Sequence, residues 1–332
     1  MAAMGNNDSK RKCWIGFDLG GTKMLCQLLD SGFSCLSRHR TRTRGHEGVE
    51  AGVHRIINLI RSALDDIDLA PEQLGGICIG CPGPLDLDEG VIIDSPNLGW
   101  KDVHLKKILE QEFGCPALIL NDVDAGVYGE YRFGAGRESR CLLGVFPGTG
   151  IGGGCVYGGE IIRGRTGSAM EVGHMQVTSG GPLCGCGRRG CLEAVSSRLA
   201  ISSAATQAAY RGDAPYLMKK FGSDLSNIRS KALLESIEHG DDVIKDIVQN
   251  AARQIGIAVG NLVNVLLPDT VVLGGGLVEA MPDLFVNPVR KSANKRVMPS
   301  FESTFDVVPA KLGDDSAVLG AAAWAQHVIE GE

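Results

Sequence analysis

Residues 13–29, Cys-Trp-Ile-Gly-Phe-Asp-Leu-Gly-Gly-Thr-Lys-Met-Leu-Cys-Gln-Leu-Leu, decide the fold. An apolar run, Trp14–Phe17, enters the glycine turn Gly20-Gly21-Thr22 and leaves as a second run, Met24–Leu29, the signature of two strands joined tightly. A third run, Ser34–Thr41, follows the turn Asp30-Ser31-Gly32. The arrangement recurs later. Cys141–Phe146 reads as a strand, Pro147-Gly148-Thr149-Gly150 as a glycine turn, and Gly152–Tyr157 as a second strand. This repetition predicts a duplicated αβ unit whose two turns face one nucleotide in a cleft between lobes.

The rest of each half fits an α/β layout. Val49, Val53, Ile56, Ile57 and Ile60 have helical spacing within a helix from about Gly48 to Ile67. Strands at Ile77–Ile79 and Leu118–Leu120 flank a helix at about Leu105–Phe113, and Val123–Tyr131 reads as another helix. The second half has a helix-rich stretch, 192–266, and a strand at Thr270–Leu273. A final helix, Ala317–Ile329, is expected to fold back on the first lobe. At 332 residues the chain exceeds the ~250–300 at which one hydrophobic core stops growing. Two lobes are therefore expected: a small one of residues 13–122 plus about 312–332, and a large one of 123–311.

Composition narrows the function. The chain is 44% apolar and 22% charged, with a net charge of −6, so it lacks the basic footprint of a nucleic-acid or anionic-membrane binder. No apolar run approaches the ~18 residues needed to span a bilayer. Residues 1–12 end in Lys10-Arg11-Lys12, and Asp18 interrupts the apolar run that follows, unlike a secretory leader. These features predict a short disordered tail on a cytoplasmic protein. Of eleven cysteines, Cys26, Cys78, Cys141 and Cys155 sit alone in apolar runs and read as buried free thiols.

The candidate chemistry begins at the glycine turns. In Asp18-Leu19-Gly20-Gly21-Thr22-Lys23, glycines let backbone N–H groups approach phosphate oxygens, Thr22 adds a donor, and Asp18 offers an oxygen ligand to Mg²⁺. A ligand-free hairpin explains this turn alone equally well. A second threonine-bearing turn, Gly148-Thr149-Gly150, favours a clamp on a triphosphate. Neither turn is a Walker loop, since no Gly-Lys-Ser/Thr opens a helix, and both lead into strands rather than helices as a Rossmann turn would. A third run, Gly274-Gly275-Gly276, leaves flat backbone for an adenine or ribose.

Leu118–Leu120 ends in Asn121-Asp122. An acid there can accept a proton from an attacking hydroxyl, but by its residues alone Asp122 reads as the cap of the following helix. Asp124 reads as a first-turn complement to the helix dipole. Glu171 and His174, three apart, share one face and offer acceptor and donor to vicinal sugar hydroxyls; Asn97, on a loop, adds an amide. His174 with Cys184, Cys186 and Cys191 makes a Cys₃His set, a closed structural zinc combination, wrapped by five glycines. Glu193, two residues past Cys191, is held near the same pocket.

Taken together, Asp18–Lys23, Gly80–Asp86, Asn121-Asp122, Gly148–Gly154, Glu171–His174 and Cys-Gly-Cys-Gly-Arg-Arg-Gly-Cys-Leu-Glu at 184–193 resemble the ROK family of repressors, open reading frames and sugar kinases. The resemblance implies a two-lobed, actin-like ATPase fold of the ribonuclease H-like type with an interlobe active-site cleft. It makes the acid at Asp122 the general base, reversing the reading as a cap. It implies sugar contacts at Gly83, Asn97, Asn121, Asp122, Glu171, His174 and Glu193. It also implies ATP and Mg²⁺ as cofactors, a structural Zn²⁺ and a homodimer. Two positions depart from the family pattern: Asp124 stands where Asn is usual, and Pro147 removes a backbone N–H beside the phosphate turn.

The expected activity is an ATP-dependent, glucokinase-like transfer to the 6-hydroxyl of glucose or a related hexose. Alternatives are a kinase for N-acetylglucosamine, N-acetylmannosamine or fructose, or a non-catalytic sugar-sensing member of the family. A repressor is disfavoured by the acidic charge and by the twelve residues that precede the first strand.

Overall fold

The computed structural model describes residues 12–331. The expected tail therefore lies outside the described residues except for exposed Lys12, which reaches Glu330 at 3.4 Å. The chain divides into two compact units. One comprises residues up to Arg132 with 163–169 and from Asp314 onward; the other comprises 133–162 with 170–313.

In the first unit, β1 (Cys13–Leu19), β2 (Lys23–Leu29) and β3 (Cys35–Arg42) form an antiparallel meander followed by α1 (Val49–Asp65). β4 (Leu74–Cys81) then pairs parallel to β1. A small antiparallel sheet follows, β5 (Leu85–Asp86), β6 (Val91–Ser95) and β7 (Trp100–Val103), then α2 (Leu105–Phe113). β8 (Ala117–Asn121) pairs parallel to β4, and α3 (Asp122–Arg132) leaves it. The main sheet runs β3-β2-β1-β4-β8. Helix α1 buries Val53, Ile56, Ile57 and Ile60 against it, the face that helical spacing predicts.

The small sheet was not expected. Its strands are too short and too polar to alternate, and tertiary contact supplies what pattern does not. The indole of fully buried Trp100 lies so close to α1 that a Cβ on Gly52 would come within 2.0 Å of it.

The C-terminal helix, Ser316–Glu330, packs on β1, β4 and α3 of this unit, as its apolar sequence suggested. It crosses α3 almost backbone to backbone: a Cβ on Gly320 would sit 1.8 Å from the Ala125 carbonyl oxygen. This crossing explains why α3 belongs with the first unit, so the division falls after Arg132 and not near residue 122.

The second unit repeats the plan. β9 (Cys141–Pro147) and β10 (Ile151–Tyr157) form the hairpin, with β11 (Glu160–Ile161) antiparallel at its edge. The helices α4 (Leu192–Ser196), α5 (Arg198–Arg211), α6 (Pro215–Phe221), α7 (Ser230–Glu238) and α8 (Asp242–Leu266) follow. β12 (Thr270–Leu273) pairs parallel to β9; then come α9 (Gly276–Ala280), α10 (Pro282–Asn294) and β13 (Asp306–Pro309), parallel to β12. The order is β11-β10-β9-β12-β13. In both units the central strand has an antiparallel neighbour on one side and a parallel one on the other. That shared topology is the duplication that the two glycine turns announced. Among the described residues no helix is long and apolar enough to cross a membrane.

Candidate active site

In open parallel sheets, ligands bind beyond the carboxyl ends of the strands. In the first unit these ends gather the predicted residues. Asp18, near the end of β1, is in register with Gly80 of β4, and Cys81 with Asn121 of β8. Gly83 lies two residues past β4 and joins Pro84 through a cis peptide. A Cβ on Gly21 would lie 3.4 Å from that of Asn97, which places the Asn97 loop beside the first glycine turn. That turn is closed by Gly20 N–H donating to the Lys23 carbonyl at 3.0 Å, and buried Thr43 donates its hydroxyl to the Gly20 carbonyl.

The cap of α3 is Asn121, not Asp122. The Asn121 Oδ1 accepts from Val123 N–H at 2.9 Å and from Asp124 N–H at 3.2 Å. Asp122 also accepts from Val123 N–H at 2.9 Å, but the helix start is satisfied without it. Asp124 is buried in the first turn.

Around Asp18 the electrostatics are acidic. Burial, with the charges of Asp122 and Asp314, raises its pKa to about 7 against an opposing pull from Lys23. Lys23 pairs with Asp314, whose carboxyl is held low mainly by that bond. Asp18 offers an oxygen donor of the kind a hard dication takes, and the charges of Asp122 and Asp314 act on it. Asp314 was missed in the sequence: Asp314-Asp315 before an apolar helix looks like capping alone.

The sign of the pH effect follows. Because the folded state holds the Asp18 proton more tightly than the unfolded chain, stability of the metal-free protein falls as pH rises from about 4 to about 7. Asp18→Asn is expected to flatten that slope and to stabilise the protein at about pH 8 by on the order of 1–3 kcal/mol. Urea unfolding at acidic and alkaline pH measures it; equal slopes in both proteins would refute the assignment.

In the second unit the carboxyl ends of β9 and β12 carry the other two glycine runs. The β9–β10 turn is closed by Gly148 N–H donating to the Gly150 carbonyl at 2.8 Å, so the missing N–H of Pro147 does not open it. Gly274 and Gly275 lie against its base; Cβ atoms there would sit 2.8 Å from the Phe146 ring and the Pro147 carbonyl. Two residues of the α4–α5 segment grip the turn. Glu193 Oε2 accepts from Ile151 N–H at 3.0 Å, close enough that a Cβ on Gly150 would meet it at 2.3 Å. Arg198 donates its backbone N–H to the Gly148 carbonyl at 2.9 Å and Nη2 to the Thr149 hydroxyl at 2.8 Å.

The Cys₃His set is assembled. The ligand atoms of His174, Cys184, Cys186 and Cys191 all lie within 4.8 Å of one another. His174 Nδ1 is 3.6 Å from Cys184 Sγ, and Cys186 Sγ is 3.7 Å from Cys191 Sγ. A tetrahedron with Zn–S bonds of ~2.3 Å has S···S edges of about 3.8 Å, so the cage matches that ion. Burial and the neighbouring thiols push the Cys191 thiol up to about 11, a set that a dication would deprotonate. With Nδ1 turned to the thiols, His174 Nε2 faces the Glu171 carboxylate at 3.9 Å. Glu193 Oε1 lies 3.8 Å from Cys184 Sγ. Glu171, His174, the thiols, Glu193 and the second glycine turn thus form one connected chain of contacts.

The sequence pattern of the ROK family matches residues 14–328. The chain belongs to the ROK family. This ROK chain is 34% identical to a glucokinase of Thermotoga maritima over 96% of its own length and 98% of the relative's. It is 27% identical to the xylose repressor of Bacillus spizizenii over 92% of its length and 75% of the repressor's. Among solved structures it matches a ROK family glucokinase from Streptomyces griseus in complex with glucose and AMPPNP, with 31% identity, a TM-score of 0.81, and coverage of 95% of this chain and 99% of that one. The ROK chain accordingly has the actin-like ATPase fold, α/β with the duplicated unit described above.

Proposed function

We propose that this protein is an ATP-dependent hexose kinase, glucokinase-like, that phosphorylates the 6-hydroxyl of glucose or a related hexose. The observation that carries the reading is the helix start at Asn121-Asp122. Asn121 Oδ1 accepts from the first N–H groups of α3, and the Asp122 carboxylate stands beside it where β8 gives way to α3, the place from which it would act as a base. Similarity to glucokinases over nearly the whole chain supports the same activity.

In this reading Asp122 takes the proton of the attacking hydroxyl as the terminal phosphoryl group transfers. Asp18 would hold Mg²⁺, which would supply neutralisation of charge at the phosphates. With Gly20 and Gly148 closing the turns, the proposed phosphate contacts are Gly21, Thr22 and Lys23 of the first unit and Thr149 and Gly150 of the second, and Gly274–Gly276 take the nucleoside. Gly83, Asn97, Asn121, Asp122, Glu171, His174 and Glu193 contact the sugar. The Cys₃His cage holds zinc and fixes the His174 ring; with four protein ligands it has no open position for chemistry.

The small lobe of this proposal is 13–122 with about 312–332, extended to Arg132 because α3 packs on the C-terminal helix. A cytoplasmic homodimer completes the proposal; none of the eleven cysteines, all among the described residues, forms a disulfide, which supports a reducing compartment.

The test is ATP consumption over a panel of hexoses and N-acetylhexosamines, with zinc measured on the same sample. Turnover fastest with glucose supports the assignment. Similarity to a xylose repressor favours a second reading, a sugar sensor; sugar binding without turnover of any panel member would establish it instead.

A further inference from the structure

We propose that Arg198 and Arg229 form a guanidinium pair that holds the phosphate chain of the phosphoryl donor against the Gly148-Thr149-Gly150 turn. The inference rests on the kinase reading of that site and extends it to two residues outside the glycine motifs.

Arg198 opens α5, and its place is fixed twice over. Its N–H binds the Gly148 carbonyl and its Nη2 the Thr149 hydroxyl, while Ser197 caps the helix by accepting from Ala200 N–H at 3.2 Å. One turn along, Ser202 donates its hydroxyl to the Ile228 carbonyl at 2.5 Å, a buried bond that brings the next residue, Arg229, to the same end of α5. Ser230 follows, its hydroxyl 3.9 Å from where a Cβ on Gly276 would lie. The two arginines are therefore stationed where the second and third glycine runs meet.

Their charges are not cancelled. Arg229 donates Nε to the Ser226 carbonyl at 3.2 Å, and among the described residues neither guanidinium joins an ion pair. Burial and the nearby Arg229 charge lower the Arg198 pKa, the repulsion expected of like charges held together. A guanidinium offers five N–H donors in a fixed fork, and Arg198 spends one on Thr149. The remaining donors and uncompensated charge suit an anion with several oxygens, and a polyphosphate is the anion this site would meet. Thr149 is then oriented by the same group that engages the phosphate.

The experiment compares AMPPNP, adenosine and glucose binding by calorimetry in the full chain and in Arg198→Met, Arg198→Lys and Arg229→Met. AMPPNP affinity should fall about tenfold in either methionine variant, with a shallower salt dependence. Adenosine and glucose affinity should stay within about twofold, and Arg198→Lys should recover only part of the loss because an ammonium lacks the fork. Arg229 is exposed, so its variant folds without repacking. Unchanged AMPPNP affinity in Arg229→Met, or an equal loss for adenosine, overturns the proposal. If the wild type binds AMPPNP with this arginine dependence but turns over no hexose, the kinase reading fails while the anion site stands.

Discussion

Asp122→Asn is expected to reduce turnover by about 10²–10⁴-fold while leaving glucose affinity within about threefold, the range for loss of a positioned general base. The substitution keeps shape and volume, and its amide oxygen can still accept from Val123 N–H as the carboxylate does at 2.9 Å. The cap of α3 rests on Asn121, so the helix should hold its stability. A second readout separates chemistry from structure. The charge of Asp122 helps to raise the Asp18 pKa, so in Asp122→Asn the metal-free unfolding profile should shift to lower pH. Turnover within about threefold of wild type would remove Asp122 from the base role. Loss of sugar binding together with turnover would make it a binding residue only.

The second large effect concerns the Cys₃His cage. Cys184→Ser should release the zinc, and the glucose KM should rise by on the order of tenfold or more, since shells that orient a ligand commonly contribute 10–100-fold. The route is visible in the contacts. The cage orients His174 toward Glu171, and Cys184 lies against Glu193, whose other oxygen holds Ile151 N–H at the phosphate turn. The ATP KM should therefore rise as well, and chelation of wild-type protein should reproduce both changes. Cys184 is buried, so the serine hydroxyl must find its partners away from water, and a lower melting temperature is expected. Zinc content, melting temperature and the two KM values measured on one preparation decide the matter. A zinc-free variant with wild-type KM values would detach the cage from substrate binding.

Legibility in the sequence tracked distance along the chain. The four members of the Cys₃His cage lie within one short glycine-rich segment, and their residue types point to a metal site. The hairpins at 13–29 and 141–157 are equally local, each an apolar run bent at glycines, and their repetition pointed to the duplicated sheets now seen in the order β3-β2-β1-β4-β8 and β11-β10-β9-β12-β13. The small sheet of β5, β6 and β7 was not legible, because Trp100 packed on Gly52 rather than any alternation makes those strands.

Local chemistry thus determined the glycine turns, the metal cage and the repeated αβ plan, because backbone freedom, ligand type and apolar period act over a few neighbouring residues. Tertiary structure alone decided which of Asn121 and Asp122 caps α3, and that Asp314 meets Lys23 across 291 positions. It also decided that Arg198 reaches Thr149 across 49. Each of these depends on where a parallel strand or a returning helix ends. Burial of apolar faces sets that endpoint over the whole chain, and no short window of residues records it.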